Sequence, residues 1–155
     1  MLFRSWMEFK TATDGIFAAR DAARAASEAE ANAKAAERAA VIDTVSALAR
    51  GDNAADIKRG LTEADKAWRA APEAPRPQMA KLDARYRAAR DAATKRIAEI
   101  AARASQARYE ALAAAMALCC ERESGAEGDW DAKWSALTQL PDAWRGKLEA
   151  RFKGT

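Results

Sequence analysis

From Leu2 to Arg50 the chain has no proline and one glycine, Gly15. Leu2, Trp6, Phe9 and Ile16 recur at helical spacing, and Ala22, Ala26, Ala29, Ala33, Ala36 and Ala40 carry on a three-four alternation. That spacing predicts one very long helix over about 2–50, with a seam of small side chains that lets a partner helix approach closely. Val41, Val45 and Leu48 return larger groups to the seam before Gly51-Asp52-Asn53, which ends the helix and supplies Asp52 or Asn53 as the cap of the next. Ile57, Leu61 and Trp68 predict a shorter helix over about 54–69. Ala71-Pro72-Glu73-Ala74-Pro75-Arg76-Pro77 then stops it, through missing amide donors and fixed φ. A second long helix is predicted over about 78–122. Its seam is Met79, Leu82, Tyr86, Ala89, Ala93, Ile97 and Ile100, then Tyr109, Leu112, Met116 and Cys119. Ser124-Gly125 is its stop, and two short helices follow, Asp129 to Leu140 and Asp142 to Phe152. The few Val and Ile residues all fall within helical patterns, so the predicted fold class is all-α.

Within this pattern one motif occurs twice, 66 residues apart. Trp68, Pro75, Leu82, Arg85 and Tyr86 are matched by Trp134, Pro141, Leu148, Arg151 and Phe152. Self-similarity of this kind marks a repeat, and its most economical reading is a joint. Trp68 and Trp134 anchor a short helix, Pro75 and Pro141 turn the chain, and Leu82 with Tyr86, or Leu148 with Phe152, seats the next helix. A helix of about 45 residues is roughly 68 Å long, whereas a compact globule of this size has a radius of gyration of about 15 Å. The prediction is an elongated helical repeat array rather than a sphere. Its first repeat occupies 1–77, and the second long helix with a partial third repeat occupies 78–155.

The Trp, Pro-Arg, Leu, Arg-aromatic pattern runs on into Ala89-Arg90-Asp91, and the long helix ends in Leu118-Cys119-Cys120-Glu121-Arg122. Over most of the chain this resembles the bacterial domain-of-unknown-function family DUF349, whose members are tandem helical repeats. The segment Phe9 to Asp21 resembles the start of the same long helix, with Phe9 matching Tyr86 and Asp14 matching Asp91. The resemblance implies a chain that opens inside a repeat and closes as another long helix begins, as in a fragment of a longer array or a clipped one. Glu73 and Ala74 stand where the family often has glycine before Pro-Arg, and Asp142 replaces the arginine after Pro141. No activity comes with the family.

Composition removes much chemistry. There is no histidine, so the commonest general base and metal ligand are missing, along with any Ser-His or Cys-His pair. Cys119 and Cys120 are neighbours on a helix, diverge by about 100° and do not pair with each other; one is expected in the core. No catalytic, cofactor or metal site is predicted, and no small-molecule substrate. The net charge of +3 is local in origin. Residues 1–77 balance 12 basic against 12 acidic groups, while Lys81, Arg85, Arg87, Arg90, Lys95, Arg96, Arg103 and Arg108 face only Asp83, Asp91 and Glu99. Arg85, Arg96 and Arg103 share one side of the helix and form a candidate stripe for a phosphate backbone or acidic partner. Glu28, Glu30 and Glu37 interleave with Lys34 and Arg38 as a solvated face. Trp6, Trp130 and Trp144 are expected to be more exposed than the repeat tryptophans. No signal peptide or membrane-length apolar run is apparent, which predicts a cytoplasmic protein. The functional expectation is a non-enzymatic scaffold or protein-interaction module, with a protein partner or self-association. The alternative is an RNA- or DNA-binding protein using residues 81–108.

Overall fold

The computed structural model describes residues 2–138 and 140–154. Five helices follow in order: α1 (Leu2–Leu48), α2 (Ala54–Ala70), α3 (Arg76–Glu123), α4 (Trp130–Ser135) and α5 (Asp142–Lys153). There is no strand among the described residues, and the fold is all-α. The chain divides into two compact units, residues 1–96 and 97–155, with the break inside α3.

In the first unit, α1 and α2 form a hairpin. The Gly51 amide donates to Leu48 O at 3.0 Å, and Asn53 Oδ1 accepts from the amides of Ala55 (2.9 Å) and Asp56 (3.3 Å), satisfying two donors that open α2. The helices approach closely at Gly60, where a Cβ would lie 2.6 Å from the Leu48 side chain. Ile42, Val45, Ile57, Leu61, Ala64, Ala74, Leu82, Tyr86 and Ala93 supply the buried apolar side chains. The packed face of α1 is therefore Arg38, Ile42 and Val45; the alanines at 22, 26, 29, 33, 36 and 40 are exposed. The expected seam fails because the six residues from Ile16 to Ala22 turn a helix by about 240°, which moves the alanine run to the opposite side.

Helix α3 begins at Arg76 rather than at 78. Pro77 is tolerated because the first turn has no intrahelical acceptor for its missing N–H, and Pro75 O accepts the amides of Gln78 and Met79, both at 2.9 Å. Along α3 the heptad reading drifts by about 20° per heptad from a true 3.6-residue helix. Tyr109 is consequently 70% exposed and Met116 46% exposed, while Ala115 and Cys119 are fully buried. The helix ends at Gly125, which has φ +77°, the left-handed conformation that glycine adopts without a Cβ penalty.

The second unit has its own apolar cluster of Ala115, Leu140 and Leu148, with Leu112, Trp134 and Leu137 packed against it. Its short helix α4 covers 6 residues where α2 covers 17, so it is 11 shorter. It also ends earlier than the predicted Leu140: Leu137 N–H bonds to Trp134 O, and the chain then leaves the helix.

Candidate functional site

At the first joint, the Trp68 and Tyr86 rings stack with centroids 4.2 Å apart and planes 7° from parallel. Asp65, one turn before Trp68 on α2, accepts from Tyr86 Oη at 2.5 Å and from both edges of the Arg90 guanidinium at 3.2 and 3.1 Å. The Tyr86 hydrogen bond, aided by Arg90 and opposed by desolvation, holds the Asp65 carboxyl below its usual range. Burial, and then the carboxylate facing it, push the Tyr86 hydroxyl up to about 12. On the other side of Trp68 lies the Arg38 guanidinium, 4.6 Å from the ring. Arg38 donates to the carbonyls of Pro72 (2.8 Å) and Ala71 (2.9 Å). It therefore supplies charge and donors to the C-terminus of α2, where carbonyls lack helical partners. Arg38 is 5% exposed, so its expected place on a solvated face is corrected. Periodic charge pairing gave no sign of acceptors more than thirty residues away.

The second joint repeats the stack with different fastenings. Trp134 and Phe152 lie 4.5 Å apart at 19°. Phe152 has no hydroxyl, and the Asp65–Tyr86 bond has no counterpart on its ring. Arg122 sits 4.6 Å from the Phe152 ring and donates to Phe152 O. Arg151 makes a two-point contact with Glu123 at 2.6 and 2.7 Å, holding α5 to α3 and lowering the Glu123 pKa. Leu82 and Leu148, each 7% exposed, occupy matching buried positions. Pro75 and Pro141 both precede a helix start. Cys119 is buried, with its thiol pKa raised by desolvation, and Cys120 is exposed.

The residues of the basic stripe are unlike one another. Arg85 and Arg103 are exposed. Arg96 donates to Gly51 O at 2.8 Å and to Asp52 at 2.5 Å, fastening α3 to the α1–α2 turn. The central cation of the predicted stripe is a structural clamp in the first unit, and Arg103 belongs to the second unit. No group of three or more potential metal ligands occurs among the described residues.

Two surface regions stand out. A cavity of about 650 Å³ lies beside Pro141, lined by Ala104, Arg108, Leu140, Asp142 and Ala143. A neighbouring one of about 250 Å³ adds Tyr109, Leu112 and Trp144. The corresponding cavity beside Pro75, about 380 Å³, is lined by Ser27, Glu30, Lys34, Glu73 and Arg76 and is far more charged. The other region is the first part of α1, where Leu2, Phe3, Trp6, Met7, Phe9, Ile16 and Phe17 are 50% to 90% exposed. Sequence spacing found Leu2, Trp6, Phe9 and Ile16 but gave no sign that they lie uncovered. Of the other two tryptophans, Trp144 is 49% exposed, whereas Trp130 is half-buried, with Lys133 over its ring.

No helix among the described residues is long and apolar enough to cross a membrane. No curated protein and no solved structure matches the chain. A family model matches it in two adjacent segments, residues 5–77 and 81–146, which together include both joints up to Gly146. With matched segments over most of its length, the chain belongs to the family described as Domain of Unknown Function (DUF349).

Proposed function

We propose that this protein is a non-catalytic association module, which works by presenting helical surface to a protein partner. The observation that carries this reading is the exposed apolar face at the start of α1. Seven large side chains there are at least half exposed. At 150–250 Å² for a full aromatic side chain, Phe3, Trp6, Phe9 and Phe17 alone expose on the order of 500 Å². With Leu2, Met7 and Ile16 the patch exceeds the largest apolar patch of a typical monomer, about 300–600 Å². Such a surface favours burial against another apolar surface. The absence of histidine from the sequence also argues against the commonest acid-base chemistry.

The face is tested by co-purification of the full chain from native extract, with and without nuclease, alongside the variant Phe9→Glu/Ile16→Glu. Nuclease-resistant capture that the variant loses supports the reading. Capture released by nuclease and abolished by Arg85→Glu/Arg103→Glu would transfer the function to nucleic acid.

A further inference from the structure

We infer that the partner of the α1 apolar face is a second copy of this chain, paired antiparallel about a two-fold axis near residue 12; this rests on the association reading above. The face is continuous with an interface already formed. At one residue per 100°, Leu2, Trp6, Phe9 and Thr13 lie on the same side of α1 as Arg38, Ile42 and Val45, which pack within the first unit. The apolar stripe is thus the uncovered beginning of a face whose end is buried. Both tryptophan-bearing short helices of the chain are already committed, Trp68 to Tyr86 and Trp134 to Phe152. The same surface on another copy remains, as an isologous contact requires.

The size of the patch suits that contact. It approaches the roughly 800 Å² per partner of a standard interface. The polar groups within and beside it also suit self-pairing. Thr13, near the middle of the stripe, has its hydroxyl bonded to Phe9 O at 2.7 Å, so burial leaves that donor satisfied. Lys10 and Asp14 lie along one edge, four residues apart. An antiparallel pairing centred near residue 12 sets Lys10 of each copy opposite Asp14 of the other, twice. The same register sets Phe17 opposite Met7 of the second copy. A parallel pairing would set each charge opposite its own like.

Sedimentation velocity of the full chain from low micromolar to a few hundred micromolar tests the assignment. The expected result is a concentration-dependent shift from the 16.8 kDa monomer to a dimer. Phe9→Glu/Ile16→Glu should weaken the dimer more than about thirtyfold without changing helix content by circular dichroism, because both side chains are exposed in the single chain. Lys10→Asp should weaken it, and Lys10→Asp/Asp14→Lys should restore it. A dimer indifferent to Phe9→Glu/Ile16→Glu overturns the assignment, and failure of the double reversal to restore binding overturns the antiparallel register. A chain that stays monomeric yet binds a peptide of residues 53–77 through Phe9 and Ile16 overturns the second copy and leaves the association reading standing. A chain that stays monomeric and captures no protein through this face overturns both.

Discussion

Arg38 shows how a single side chain can hold a corner. Its guanidinium lies on Trp68 and reaches two carbonyls at the end of α2, which a planar fork of donors can do at once. Arg38→Ala should cost about 2–4 kcal/mol by leaving those carbonyls unpaired, and Arg38→Lys should recover less than half, as read by urea unfolding. Tyr86 gives a second test. The folded chain keeps its phenol protonated to about 12 instead of 10.0. Between those values the unfolded chain releases a proton that the folded one retains, so stability falls as pH rises through the window. At the acid end, the lowered Asp65 pKa contributes stability that is present above its usual 3.8 and is lost as pH falls through the folded value. Tyr86→Phe should flatten both limbs of the stability profile measured by thermal unfolding. Sequence made the aromatic partners legible, because Trp68 and Tyr86 recur with Trp134 and Phe152. Arg38 and Arg96 were not legible, because their acceptors are largely backbone carbonyls brought close only by the hairpin and the corner, and a carbonyl leaves no trace in residue identity.

At the scale of elements, helix existence was written in proline, glycine and apolar spacing, and α1 and α2 begin and end close to where these signals fall. Facing was harder to read, since a small phase error accumulates along helices of 47 and 48 residues. This is why the alanine run of α1 and Tyr109 of α3 lie off the packed faces. The two short helices differ in how firmly they are held. Helix α2 has a two-donor Asn53 cap, buried Ile57, Leu61 and Ala64, and the Arg38 contact at its end. Helix α4 has one cap bond from Asp129 and no buried residue. Short helices are marginal without tertiary packing, so amide exchange should be markedly faster across Trp130–Ser135 than across the middle of α2. Equal protection would contradict this account of what holds them.

For the molecule as a whole, each unit carries its own stacked pair and its own buried residues, while α3 contributes to both. Trp68→Ala should lower amide protection mainly within residues 1–96, and Trp134→Ala mainly within 97–155, each by about 2–4 kcal/mol in the helices beside the stack. Loss spread evenly over the chain after either substitution would show a single cooperative body instead. The repeat was legible from the joints outward because both copies keep the same Trp-to-Pro-to-aromatic spacing. The shortening between copies was not, since Phe9 and Tyr86 match at one offset and the tryptophans at another. The 11 residues by which α4 falls short of α2 are close to three whole helical turns. A change of that size moves the tryptophan along the helix axis by about 16 Å yet returns it to nearly the same bearing. Five residues would instead swing it by about 140° off its aromatic partner. Length in this chain is thus free to vary only in near-integral turns, and repeats of unequal size can share one joint so long as the difference between them comes full circle.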